Sequence, residues 1–145
     1  MKIVNRKAKY NYKLLEKFEA GISLLGAEVK SIKKGQMDLS ASYGKIIGDE
    51  AFLINANIPL ENIDGYNPSR SRKLLLHKNE IISINAKIKA KKLTFVPTKV
   101  YTRGPLVKIE LALAKSKKKF DKKELLKKKD LERELERELR GKQQD

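Results

Sequence analysis

The chain has 145 residues, 34 of them Lys or Arg against 18 Asp or Glu, so its net charge of +16 favours a polyanionic partner and its length suits one domain with an appendage. Having no cysteine, it has no disulfides, thiolate metal sites or thiol chemistry, as fits a cytosolic protein. Its one histidine, His77, cannot build a zinc cluster, and no Gly-rich phosphate loop or nucleophile elbow occurs, so neither enzyme activity nor a cofactor is expected.

Met1 to Tyr10 carries Lys2, Arg6, Lys7 and Lys9 with no apolar stretch behind them, so no signal peptide is expected. No later segment approaches the ~20 apolar residues of a spanning helix, so no membrane partner is expected. Asn5-Arg6-Lys7-Ala8-Lys9-Tyr10-Asn11-Tyr12 interleaves cations with aromatic and amide groups. Such a segment offers phosphate contacts and a stacking face; a frayed basic terminus is the equal alternative. A strand is predicted over about Lys17 to Leu24, and within it Glu19 is an acid beside basic segments. The residues alone favour an ion pair with a neighbouring Lys or Arg; a base-edge acceptor, or a group that orients an RNA-touching arginine, is the alternative. Leu25, Val29 and Ile32, at i, i+4 and i+7, predict a helix that Gly35 stops. A hairpin is predicted from Tyr43 to Ile58, turning at Gly48-Asp49-Glu50.

Asn67 to His77 is a polar turn that delivers Arg70, Arg72 and Lys73, followed by three leucines entering a helix. No acid lies nearby in sequence, so the three cations read as phosphate ligands and the leucines as core. Ile81, Ile84 and Ile88 predict a helix from about His77 to Lys91, with lysines at its C-terminal end where cations suit the dipole. Leu93 to Tyr101 is rich in Thr, Val, Phe and Tyr, as strands are; Pro97 within it implies an edge or a bulge. Arg103-Gly104-Pro105 joins this strand to Leu106–Ala114, where Val107, Ile109, Leu111 and Leu113 face the core and Lys108 and Glu110 face water.

The chain divides near Ala114. Residues 1–114 hold 21 basic and 10 acidic residues and form the predicted body; residues 115–145 form a basic tail with 13 basic and 8 acidic residues. From Lys115 to Lys129 there are nine lysines and two acids, too much repulsion to fold alone. Beyond them, Leu131, Leu135 and Leu139 predict a helix that forms only on a partner. The body has at least five antiparallel strands and two short helices. It is therefore mainly β with accessory helices, an α+β chain built on an antiparallel barrel of the oligonucleotide-binding type.

Taken in order, five segments resemble the small protein B family, the SsrA-binding proteins, over nearly the whole chain. They are Asn5-Arg6-Lys7-Ala8, Phe18-Glu19-Ala20-Gly21, Glu28-Val29-Lys30-Ser31, Pro68 with Arg70 and Arg72-Lys73-Leu74-Leu75-Leu76, and Asp121-Lys122-Lys123. The resemblance implies a bacterial, cytoplasmic protein, monomeric when free, that carries transfer-messenger RNA to stalled ribosomes for trans-translation and ribosome rescue. Its body would stand in for the anticodon arm that this RNA lacks. Its tail would enter the empty messenger channel past the decoding centre. Asn5, Glu19 and Leu75 match the family's RNA-binding surface, and with them stand Arg6, Lys7, Lys9, Tyr10, Lys30, Arg70, Arg72 and Lys73. Lys117, Lys118, Asp121, Lys122 and Lys123 match the tail segment needed on the ribosome. The chain departs from the family pattern at Tyr10 and Phe120, where histidine is frequent, and at Ser116, where glycine is usual. The rival reading is a structural ribosomal protein bound permanently to ribosomal RNA.

Overall fold

The computed structural model describes residues 1–61 and 63–117. In chain order the elements are β1 (Lys2–Val4), α1 (Arg6–Asn11), β2 (Tyr12–Ile22), α2 (Gly26–Lys33), β3 (Tyr43–Ile47), β4 (Glu50–Ile54), β5 (Arg72–Leu75), α3 (Lys78–Lys91), β6 (Thr94–Arg103) and β7 (Leu106–Ser116). Strands β6, β3, β4, β5, β2 and β7 follow one another around a ring, and β7 pairs back onto β6 to close it. Every pairing is antiparallel, and β1 adds an edge to the far end of β6. The ring is the expected barrel.

Its longest walls are β2–β7 and β6–β7. The alternation of β7 buries Val107, Ile109, Leu111 and Leu113, and the small Ala112 and Ala114 are buried on the opposite face as well. Ala114 packs there with Ala8 and Val96 in a small second core beneath α1. The β6–β7 turn has Gly104 at φ +60, and the β3–β4 turn has Gly48 at φ +64. Both are first central residues of two-residue loops, where tight hairpins demand positive φ. Pro97 sits where the β6–β7 register shifts, between Pro97 and Lys99, so the expected bulge is present.

The helices seal the barrel. Ile32 of α2 and Ile84 of α3 are fully buried, Ile81 nearly so, and Val29 and Ile88 pack against the same core. Leu25 was expected on the apolar face of its helix; it is instead the N-cap of α2 and half exposed. The ring closes narrowly between β3 and β6, through the single pair Gly44–Phe95. A Cβ on Gly44 would lie 2.4 Å from Phe95 Cδ2, so only glycine fits against that ring. Phe95 in turn meets Phe18 edge to face, with centroids 6.2 Å apart.

Three expectations change. The strand expected at Lys17 begins at Tyr12, directly after α1. The leucine run does not lead straight into a helix: Arg72 to Leu75 is strand β5, burying Arg72 and Leu74 and exposing Lys73 and Leu75. The strand expected to end at Ala114 continues through Lys115 and Ser116, which pair with Lys13 and Tyr12. Ser116 is thus ordinary extended backbone, and the usual glycine is not needed there. The tail beyond Lys117, with Lys118, Phe120, Asp121, Lys122, Lys123 and the leucine line, lies outside the described residues.

Candidate nucleic-acid interface

The basic N-terminal segment is ordered, not frayed. Asn5 caps α1: its Oδ1 accepts from the Ala8 N–H at 3.4 Å. Its Nδ2 donates to the carbonyls of Pro97 (2.9 Å) and Leu39 (3.2 Å), and its backbone N–H donates to Thr98 O. Only 5% of Asn5 is exposed, so it holds α1 on the barrel from inside. Arg6, Lys7, Lys9 and Tyr10 are all exposed on this helix. Beside it runs a groove lined by Lys7, Asn11, Tyr12, Ser40 and Tyr43. Lys117, expected in the ribosome-directed tail, is part of this site. Its N–H bonds to Asn11 O at 3.0 Å, and its Nζ reaches Lys9 O at 3.3 Å. The root of the tail is therefore fastened to the last turn of the basic helix, where a cation also suits the dipole.

Glu19 lies on the outward face of β2. Its carboxylate accepts from the Tyr101 hydroxyl and from Arg103 Nη1 (3.3 Å), both on β6 two strands away. The directly opposed pair Glu19–Glu110 would repel on this face. Lys99 and Lys17 offset it, 3.5 and 4.0 Å from Glu110, as does the Thr98 hydroxyl donating to Glu110 Oε2. Burial, then the hydrogen bond to Glu19, pushes the Tyr101 hydroxyl up to about 12, so it is a donor throughout the physiological range. Of the readings left open for Glu19, the ion pair is present, with Arg103 as its partner.

Arg72 requires a correction. It is fully buried, and Nε and Nη2 donate to Glu28 Oε2 at 3.0 and 2.6 Å, while Nη1 donates to Ala56 O. Arg70 binds the same carboxylate through Nε and Nη2, and the Tyr66 hydroxyl adds a further bond at 2.8 Å. Burial works to raise the Glu28 carboxyl, but the bonds from Arg70, the Leu25 N–H, Arg72 and Tyr66 win and hold it at about 2. The acid that pairs these arginines is 42 and 44 residues away in sequence. Arg72 is thus a structural cation tying β5 to α2, out of reach of a phosphate. Arg70 keeps part of its surface on the outside.

The remaining sequence candidates are on the surface. Lys30 is exposed in the last turn of α2. Lys73 is exposed and pairs with Glu50 at 3.5 Å. Leu75 is 55% exposed and leans over Gly21, its β2 partner, so it is not core. Glu19, Gly21 and Leu75 thus share one outward face. On that face the register also places Lys2, Lys99, Tyr101, Arg103 and Lys108, which sequence reasoning passed over. The signal was available: Lys99, Tyr101 and Arg103 alternate with the buried Val100. Among the described residues no cluster of His, Cys, Asp or Glu could hold a metal, and no helix is long and apolar enough to cross a membrane.

A family model described as SmpB protein matches residues 2–141. The SsrA-binding protein of Malacoplasma penetrans is 48% identical over 141 residues, covering 95% of this chain and 97% of the relative. That of Carboxydothermus hydrogenoformans is 49% identical over 140 residues, 94% of each. A solved chain described as "tmRNA-SmpB: a journey to the center of the bacterial ribosome" superposes with a TM-score of 0.67 at 39% identity, over 81% of this chain and 85% of that one.

Proposed function

The chain belongs to the SmpB protein family, and from that premise we propose that it binds transfer-messenger RNA and brings it to stalled ribosomes for trans-translation. It is an RNA-binding protein and not an enzyme, and the ribosome is its second partner. It acts in the bacterial cytoplasm, as a monomer when free, with the body reaching through Lys117 and the residues beyond it supplying the basic tail. The body substitutes for an anticodon arm, and the tail occupies the messenger channel that a truncated message leaves empty. Family membership sets aside the structural ribosomal protein.

The observation that carries this reading is the junction at Lys117. The backbone of α1, whose cations are exposed, and the start of the tail at Lys117 are hydrogen-bonded together at one corner of the barrel. RNA held at α1 and the root of the tail at Lys117 are thereby set at a fixed distance from each other. That is what a body replacing one arm of a folded RNA requires if the tail is to enter a channel reproducibly.

The test separates RNA binding from ribosome function. Asp121→Ala with Lys122→Ala removes charged groups from the tail and leaves every described contact of the body intact. Melting temperature and affinity for transfer-messenger RNA should match the wild type, while tagging of a protein encoded by a message without a stop codon should collapse. The lost term is tail contact that offsets the entropy of ordering a charged segment. Tagging at the wild-type rate with wild-type RNA binding would remove the tail from the mechanism.

A further inference from the structure

The outward face carrying Glu19 does more than hold one acid. The register aligns Lys2, Tyr101, Lys108, Gly21 and Leu75 as a cross-strand row over β1, β6, β7, β2 and β5. At about 4.8 Å per strand the row runs for about 19 Å over the sheet surface. Arg103, Lys99 and Lys17 flank it, and with Lys2, Glu19 and Glu110 they line a cleft around the Tyr101 ring. Tyr101 sits two strands from Glu19, about 9.6 Å between strand axes, yet the two side chains are hydrogen-bonded. The ring must therefore lean across β7. Gly21 contributes no side chain to the row, and Leu75 leans over it in that place.

The geometry points to Tyr101 as a base-stacking residue of the RNA interface, with Arg103 as a phosphate contact and Glu19 as the positioning residue that orients both. This inference rests on the RNA-binding function proposed above and assigns its chemistry to a second patch, apart from α1. Three observations support it. The Lys99 ammonium lies over the Tyr101 ring, 5.6 Å from its centroid, so a base that takes this face displaces the cation toward its own phosphate. The Arg103 side chain is 68% exposed and meets Glu19 through Nη1, so its guanidinium has further N–H donors to offer a phosphate while Glu19 holds it. Each Glu19 oxygen already accepts one bond from β6, so the carboxylate is committed to fixing these two groups.

The experiment titrates labelled transfer-messenger RNA and an unrelated RNA hairpin with the full chain and its variants, at several salt concentrations. Tyr101→Ala should lose about tenfold or more in affinity for transfer-messenger RNA, the range of one stacked base. Tyr101→Phe keeps the ring but frees it from Glu19, and should lose less. Glu19→Gln should add little in the Tyr101→Phe, Arg103→Ala background, because both groups it orients are already changed. Arg103→Ala should lower the salt slope by about 0.7–0.9, which a role in folding alone would not do. If Tyr101→Ala binds like the wild type, or Glu19→Gln costs as much in that background as alone, the inference falls. The function proposed above still stands in that case if Lys7→Ala with Lys9→Ala weakens binding. A wild type that binds both RNAs equally overturns that function instead.

Discussion

Glu28→Gln keeps the shape of the side chain and removes its charge, which isolates what the buried carboxylate does for the fold. Glu28 and Arg72 are both fully buried, and the Arg70 side chain is about one-third exposed. The amide can still accept hydrogen bonds but leaves the Arg72 guanidinium without a counter-charge. Removing one member of a buried pair costs about 3–5 kcal/mol. Titration supplies a second figure. Burial opposes ionisation, the bonds from Arg70, Leu25, Arg72 and Tyr66 outweigh it, and the carboxyl titrates at about 2 against an ordinary 4.5. At about 1.36 kcal/mol per pH unit, that gap corresponds to about 3 kcal/mol. Because the folded value is the lower one, the unfolded chain takes up the proton first as acid is added. The contribution is complete above the unfolded value of 4.5, declines as pH falls from there, and is gone below about 2. Urea unfolding followed by circular dichroism at a series of pH values measures it. The variant should be about 3 kcal/mol less stable at neutral pH, and the gap should narrow steadily on acidification. A gap that does not change with pH, or a neutral-pH loss under about 1 kcal/mol, refutes the reasoning.

Two further outcomes concern the barrel. Gly44→Ala drives a Cβ into the buried Phe95 ring at the ring's narrowest closure, and should cost about 1–3 kcal/mol by thermal or urea unfolding; a neutral result would mean the β3–β6 seam opens freely. A chain cut after Lys117 should melt like the full protein, whereas one cut after Ala114 loses the bonds of residues 115–117 to Asn11, Tyr12 and Lys13. The shorter chain should be less stable by about 1–3 kcal/mol; equal melting of the two would place the end of the body at Ala114.

Periodicity in β7, α2 and α3 made the barrel and its helices readable, because each buries one face and repeats it at a fixed interval. What periodicity could not supply was anything that depends on a distant partner. Arg72 reads as a solvated cation until Glu28 is brought against it from 44 residues away. Strand β5 was hidden for the same reason: its in–out pattern pairs a buried arginine with a buried leucine, which no hydropathy pattern marks. Glu19 was legible as an anomaly, but its partners came only with the register linking β2, β7 and β6. Lys115 and Ser116 looked like the start of the tail by composition; the ladder with Tyr12 and Lys13 overrides that composition.

Closure of the barrel also bears on how the chain is made. β7 pairs with both β2 and β6, so the wall joining the earliest long strand to the latest is the last to be synthesised. Pairings such as Tyr12 with Ser116 bring together residues more than 100 positions apart. Folding should therefore be slow and largely all-or-none, waiting on contacts of high sequence separation. Until Leu106 to Ser116 have been synthesised, β2 and β6 present unpaired edges in a strongly basic chain. In a cell that edge is open to aggregation and to the RNA of the translating ribosome itself, and ribosomal RNA is the polyanion nearest at that moment.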